Sequence, residues 1–527
     1  MGYFENISER QTIMDYDKLA ELLFPNITKT PEDYEALYPE RSLPEGAMVT
    51  RMAPSPTGFI HLGNLYGALA DERLAHTTGG ACFLRIEDTD DKREVEGAVP
   101  VLLDTLSYFG ITFDEGKTKD GEIGAYGPYT QSQRAEIYQT MVKHLVRQGK
   151  AYPCFMTEEE IEEIRKAQAE AKLDPGIYGA YAKHRDLSYE EIEKRIQNGE
   201  EYVIRFRSEG DPARYFHAVD AIRGDISMPE NVQDVVILKK IGLPTYHFAH
   251  VVDDHLMRTT HVVRGEEWMA SVPIHVQLFD AMGWERPIFC HNTVLMKIDE
   301  ETNQKRKLSK RKDPELSLEY YKKLGYFPEA VREYLMTILN SDYEEWRLAN
   351  PEADYRDFDF SASKMSSSGT LFDLSKLNDV SKDVLAKKSA AKILEFMLSW
   401  AEEYHRDIFD LFSANKEKLL KIFDIDRGGE KPRKDLIFAE QIFGFRKYFF
   451  DEYFEYQDEW PAEVSAQDRK EILTRSLQGY DPADDNSAWF EKVRAITADL
   501  GYAVKPKDYK KNPEQYKNLV VRIAGFS

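Results

Sequence analysis

Cysteine is scarce in this chain: Cys82, Cys154 and Cys290 are the three in 527 residues. They lie far apart with no CxxC spacing, which argues against a disulfide framework and a thiolate zinc site and fits a reducing compartment. Long apolar runs are also missing, since no stretch approaches the ~20 apolar residues of a membrane-spanning helix. The leading MGYFENISERQ has neither a basic nor an apolar region, so no secretory signal is expected. These absences predict a cytoplasmic protein with no membrane partner. Internal repeats and low-complexity tracts are absent too. A hydrophobic content of 42% with 31% charged residues is the balance of a folded globular chain.

Positive charge is in short supply. Seventy Lys and Arg against 93 Asp and Glu leave a net charge of −23. Phosphate contacts need cations, so this balance weighs against a nucleic-acid partner. It does not exclude one, because a polyanion needs only a local basic patch.

What is present is alternation. After an acidic, partly helical lead-in ending in PERSLPEG, MVTRMA reads as a strand and Asn64 to His76 as a helix closed by Gly79-Gly80. ACFLRI is the next strand and Val95 to Tyr108 the next helix. A helix near Gln131 to Gln148 and the strand AYPCF follow. Such alternation predicts parallel strands with crossover helices, a doubly wound α/β sheet of Rossmann type. It fails between about 156 and 234, where charged text resembles an inserted α+β module. It resumes with DVVILKK, a helix from Thr245 to Met257, THVVRG, EEWMASVPIHVQLFDAMGW and PIFCH. One sheet in two halves is expected. Beyond Pro314 the pattern is mostly helical, an all-helical C-terminal half.

In an open parallel sheet, ligands bind beyond the carboxyl ends of strands, where helices begin. SPTGFIHLGN, Ser55 to Asn64, occupies the first such junction. Gly63 permits close approach to the backbone, and the helix start offers unpaired N–H groups to an anion. His61 can donate to phosphate oxygens there, although a histidine in such a loop is more often an ordinary surface residue. After the last strand, KRKLSKRK packs six Lys or Arg into Lys305 to Lys312. Most charge runs are solvated loops. In an acidic protein this one is an unusual anion site, with Leu308 and Ser309 available to tuck the loop over a triphosphate.

HLGN at 61–64 with KLSKR at 307–311 resembles the HIGH and KMSKS signatures of class I aminoacyl-tRNA synthetases. TRMAPSPTGFIHLGN, FLRIEDTD, PTYHFAHVVDDHLM, HVVRGEEW and KLSKRK narrow the resemblance to the glutamyl-tRNA synthetases of bacterial type. The match is strong from about 48 to 340 and weaker to the end. Members usually run on for a few helices past the point corresponding to VRIAGFS.

The resemblance implies ATP-dependent joining of glutamate to tRNA(Glu) through a glutamyl-adenylate, with ATP and Mg²⁺ as cofactors and a monomer as the family habit. His61, Asn64, Lys307 and Lys310 are implied as catalytic. Arg51, Ala53, Ser55, Glu87, Tyr246 and Arg264 are implied to hold glutamate. Arg51 and Arg264 would face its side-chain carboxylate and Glu87 its ammonium. Thr57, His61, Gly63, Asn64, Glu267, Trp268 and Lys310 are implied for ATP. Asn64 departs mildly from the fourth signature position, where it still offers a donor. His250 stands where some members carry Asn, and its role is left open. No structural zinc is expected, because Cys154 stands alone and YGAYAKHR supplies no cysteine. RIEDTDDKRE reads better as one amino-acid ligand before a solvated helix start than as a metal loop. FGFRKYFFDEYFEY reads better as core than as a base-stacking surface.

The resulting partition is 1–47, an N-terminal extension; 48–155, the first half of the catalytic domain; and 156–234, the acceptor-binding module. Then come 235–315, the second half with the KLSKR loop; 316–385, a helical stem-contact region; and 386–527, a helical anticodon-binding domain. A non-catalytic tRNA-binding paralogue and a small-molecule nucleotidyltransferase are the rival readings. Intact His61, Lys310, Arg51, Glu87 and Arg264 disfavour the first. Some 200 further helical residues disfavour the second.

Overall fold

The computed structural model describes residues 14–56, 60–90, 95–299, 301–427, 432–454 and 464–517. Among the sequence-predicted site residues, Thr57 lies outside them. Two compact units are present, Met1–Phe445 and Arg446–Ser527.

The first unit is built on strands β1 (Val49–Met52), β2 (Ala81–Leu84) and β3 (Glu115–Thr118), followed later by β4 (His261–Gly265) and β5 (Ile288–Asn292). β1 pairs with β2 and β2 with β3, all parallel; β4 pairs parallel with β5. The two halves meet at β1 and β4, where the Thr260 N–H donates to Val49 O at 3.0 Å and Val49 N–H to Thr260 Oγ1 at 2.8 Å. That join is one backbone bond with a threonine bridge rather than a continuous ladder. The order β3-β2-β1-β4-β5 puts a topological switch point between β1 and β4.

The strands are buried along their whole length, as parallel strands covered on both faces are. Alternate residues feed two cores: Met52 and Leu84 face one, Val49 and Phe83 the other. The first core contains α1 (Leu62–Thr77), α2 (Ala98–Tyr108) and the helices Leu318–Leu324 and Pro328–Leu339. α1 is buried on nearly every face, including Asp71, Glu72 and Arg73, so it lacks the polar stripe of a surface helix. The second core contains α3 (Ala135–Arg147), α4 (Tyr246–Leu256), α5 (Val272–Met282) and the lead-in helices Tyr16–Leu23 and Pro31–Leu37. Gly80 precedes β2 because a Cβ there would stand 1.8 Å from Met48 O.

The stretch predicted as an inserted module is divided between two sheets. Val203–Phe206 lies between Ala151–Cys154 and Val236–Leu238 in an antiparallel sheet. The hairpin of Tyr215–Asp220 and Gly224–Pro229 instead joins the outer edge of the catalytic sheet, through Asp220 opposite Phe289. Beyond Pro314 the described chain is helical apart from the short strand Thr370–Leu371. The second unit contains the helices Ala466–Gly479 and Asn486–Asp499, packed around Val464, Ile472 and Val493. No helix is long and apolar enough to cross a membrane among the described residues.

Candidate active site

A cavity of about 730 Å³ opens at the carboxyl ends of β1 and β4. Arg51, Ala53, Ser55, His61, Gly63, Asn64, Glu87, Tyr246, Arg264, Glu267, Trp268, Lys307 and Lys310 all line it. Its size falls in the range of small-molecule sites, roughly 300–1,000 Å³.

His61 is the N-cap of α1. Its Nδ1 accepts the Asn64 N–H at 3.2 Å, and Asn64 Oδ1 accepts the His61 N–H at 3.0 Å. This reciprocal box consumes the Asn64 oxygen and leaves its amide NH₂ as the donor. An accepting Nδ1 places the proton of the neutral ring on Nε2. Burial, then Lys310 and Lys307, press the His61 pKa down to about 4. Gly63 permits the arrangement, because a Cβ there would stand 3.0 Å from the His61 ring.

The basic loop is sorted by geometry. Arg306 is spent on Asp313, which it holds bidentately at 2.5 and 2.8 Å, and on Asp299 at 2.7 Å. That pairing lowers the Asp313 pKa to about 2, and Asp313 also accepts the Ser309 N–H at 2.8 Å. Leu308 is buried in the core beneath. Lys307 and Lys310 are thereby presented to the cavity beside His61.

The floor is a chain of alternating charges. Asp254 on α4 accepts Arg51 Nε at 3.1 Å, Arg85 Nη1 at 2.7 Å and His250 Nδ1 at 2.6 Å. Burial opposes its ionisation, but Arg51 and Arg85 prevail and hold its pKa well below the carboxylate range. Arg85 Nη2 reaches Glu87 at 3.0 Å. Burial raises the Glu87 pKa, partly offset by Arg85 and Arg51. The Tyr246 ring lies between Trp268, with centroids 4.3 Å apart, and His250, at 5.6 Å.

Arg264 differs from every cation of that floor. Its Nε donates to His291 Nε2 and its Nη1 to His275 Nδ1, both at 3.0 Å, and its plane lies 5.1 Å above the Phe289 ring. Tyr246 is close enough to interact electrostatically, yet Nη2 is sealed from solvent with no well-aligned acceptor. Burial pulls the Arg264 pKa down. Among the described residues no carboxylate hydrogen-bonds Arg264, which leaves a buried guanidinium at the cavity wall that is suited to an anion.

A model of the catalytic domain of class I tRNA synthetases for Glu and Gln (E and Q) matches residues 47–379. A glutamate–tRNA ligase of Acetivibrio thermocellus is 59% identical over 97% of this chain and 94% of its own length. One from Clostridium perfringens is 51% identical over 97% and 94%. The chain belongs to the glutamyl-tRNA synthetase family. A glutamate–tRNA ligase from Elizabethkingia meningosepticum, solved in complex with its amino acid, superposes with a TM-score of 0.69 at 29% identity, covering 86% of this chain and 90% of that one. A second, from Elizabethkingia anophelis, gives 0.67 at 29% identity, over 90% and 94%.

Several lining residues of this synthetase escaped sequence reasoning. Asp71 lines the cavity from α1, and burial pushes its pKa well up. Lys239 lines it too and donates to Thr89 O. His275 and His291 support Arg264 from behind. Their settings, SVPIHVQLF and PIFCHN, read as an apolar helix and a buried strand, and nothing local marks either imidazole. Cys154 Sγ lies 4.0 Å from His184 Nδ1, which accepts the Phe155 N–H. Among the described residues no group of three His, Cys, Asp or Glu is arranged to hold a metal.

Proposed function

We propose that this chain activates L-glutamate with ATP as glutamyl-adenylate and transfers it to tRNA(Glu), releasing AMP and pyrophosphate. The observation that carries the reading is the pairing, in one cavity, of an uncompensated buried Arg264 with His61, Lys307 and Lys310. The first calls for a substrate carboxylate and the second set for phosphate.

Adenylation is attack of the substrate's carboxylate on the α-phosphorus, so the protein contributes position and charge rather than a nucleophile. Arg264, with Arg51 beside it, receives the side-chain carboxylate. Ala53, Ser55 and Tyr246 enclose the amino acid, and Glu87 faces its ammonium. The His61 Nε2–H and the Asn64 amide donate to the α-phosphate side at the helix start. Gly63, Thr57, Glu267 and Trp268 complete the nucleotide's seat, and Lys310 with Lys307 draws off the leaving pyrophosphate. Mg²⁺ bound with the nucleotide would supply further neutralisation of its phosphates beside Lys307 and Lys310.

The inserted region serves the acceptor end of the tRNA, and the helical C-terminal part its anticodon arm. The enzyme acts as a cytoplasmic monomer, which sedimentation velocity checks. The deciding experiment is transfer of radiolabelled glutamate to each purified tRNA, with Arg264→Gln alongside. Breaking a buried charge pair costs about 3–5 kcal/mol, so this variant loses about two to four decades of charging. Undiminished charging by it removes Arg264 from the pocket.

A further inference from the structure

Arg264 is gripped on two of its three nitrogens, and neither grip carries charge. Both supporting rings are fully buried, and their tautomers follow from what stands behind them. His291 Nδ1 lies 2.7 Å from Asp220 Oδ2, an obligate acceptor, so Nδ1 carries the proton and Nε2 offers a lone pair to Arg264. His275 Nε2 lies 3.0 Å from His247 Nδ1. Since His275 Nδ1 accepts from Arg264, its Nε2 carries the proton and donates to His247. Asp220 is itself fixed by the backbone N–H groups of Ile222 and Arg223, both at 2.9 Å. The guanidinium is therefore held in plane from two elements, α5 and β5, with Nη2 left over. Arg51, Asp254 and Tyr246 also face it, and the Tyr246 hydroxyl comes within weak hydrogen-bonding reach of the guanidinium.

A carboxylate would hold an arginine at least as firmly. It would also cancel the charge, after which glutamate and the isosteric glutamine would meet nearly the same field. We propose that His275 and His291 are positioning residues that set the preference for a carboxylate side chain, aiming Arg264 into the pocket without discharging it. The anion that completes the guanidinium then has to come from the substrate. This inference rests on the reading of the cavity as a glutamate site.

The test is tRNA charging by the full chain, with KM and kcat for glutamate, KM for ATP and the glutamate-to-glutamine ratio of kcat/KM. His275→Phe and His291→Phe keep a ring but lose the acceptor; glutamate KM rises about tenfold or more, with kcat and the ATP KM little changed. His275→Asn and His291→Gln return an amide oxygen to the vacated position and recover most of that loss. His275→Asp keeps the hydrogen bond but neutralises Arg264, so the glutamate-to-glutamine ratio falls about tenfold or more. Should the phenylalanine variants fail to fold, the aspartate variant decides. An unchanged ratio in that variant overturns the proposal, as does a glutamate KM unmoved by phenylalanine or a uniform decline of all parameters. Failure of the unsubstituted enzyme to charge any tRNA with glutamate would strike the functional reading instead.

Discussion

His61 and Asn64 cap each other across the first turn of α1, at 3.2 Å from backbone N–H to imidazole and 3.0 Å from backbone N–H to amide oxygen. One residue thus closes a helix and offers a second nitrogen to the cavity, where the proposed function seats a phosphate, and the two duties separate by substitution. His61→Ala removes both, with a stability loss of about 1 kcal/mol from the cap. His61→Asn restores a preferred N-cap but not the Nε2–H donor. Thermal melts therefore recover in the asparagine variant. Pyrophosphate exchange, measured with tRNA present, stays down about 10²–10³-fold in both.

Lys310 shares the cavity with Lys307 and faces His61. Lys310→Ala withdraws a cation from the leaving group and none from the amino acid. The expected result is a fall in kcat of about two decades, with the glutamate KM little moved. Steady-state charging at saturating ATP reads it. A change confined to glutamate KM would place Lys310 outside the phosphate path.

The buried histidines make stability depend on pH. Burial depresses the pKa of His61, His247 and His250 to about 4, and holds that of His275 well below its ordinary value. Unfolded, each binds a proton near the ordinary value of about 6.5. Between about pH 4 and 6.5 the unfolded chain holds more protons, so acidification through that window destabilises the fold by about 1.4 kcal/mol per pH unit per group. Glu87 and Asp71, with raised pKa values, work the other way but are fewer. Denaturant midpoints should fall steadily from pH 7 to 4.5, and His250→Asn should flatten the slope by one proton. A flat profile would mean these rings are accessible to protons in the fold.

Local pattern carried the parallel sheet and singled out HLGN and KLSKRK, two segments that line one cavity, because strand-to-helix alternation and both motifs are written in contiguous residues. The join of the two half-sheets through Thr260 was not readable, since it depends on a threonine standing opposite Val49 across some 200 residues. The basic run could not be sorted in advance either. Whether Arg306 faces phosphate or Asp313 is settled by the hairpin of Leu295–Ile298 with Lys305–Lys307, which no charge count reveals. His275 and His291 were silent for a different reason. Burial keeps both rings neutral, and their acceptor role is set by Asp220 and His247, partners that lie on other elements.

The lead-in helices, which the sequence marked only as an N-terminal extension, bear on the pocket through α4. Lys143, 4% exposed, donates to Phe24 O at 3.1 Å and Ile27 O at 2.7 Å. Arg41 reaches Met257 O at the C-terminal end of α4 and grips Glu115 bidentately. Glu35 takes His255 at 2.6 Å and Arg258 at 2.7 Å. The same α4 carries Tyr246, His250 and Asp254. Removing residues 1–42 strips Leu19, Leu23, Phe24, Tyr34 and Tyr38 from the second core, a loss of about 7–15 kcal/mol at roughly 1.5–3 kcal/mol per side chain. Because that loss loosens the helix behind the amino acid and not the phosphate loop, the glutamate KM should rise more than the ATP KM. Calorimetry and charging kinetics on the truncated chain read both effects. A truncated enzyme with unaltered melting and equal shifts in the two KM values would reduce the extension to a passive cover.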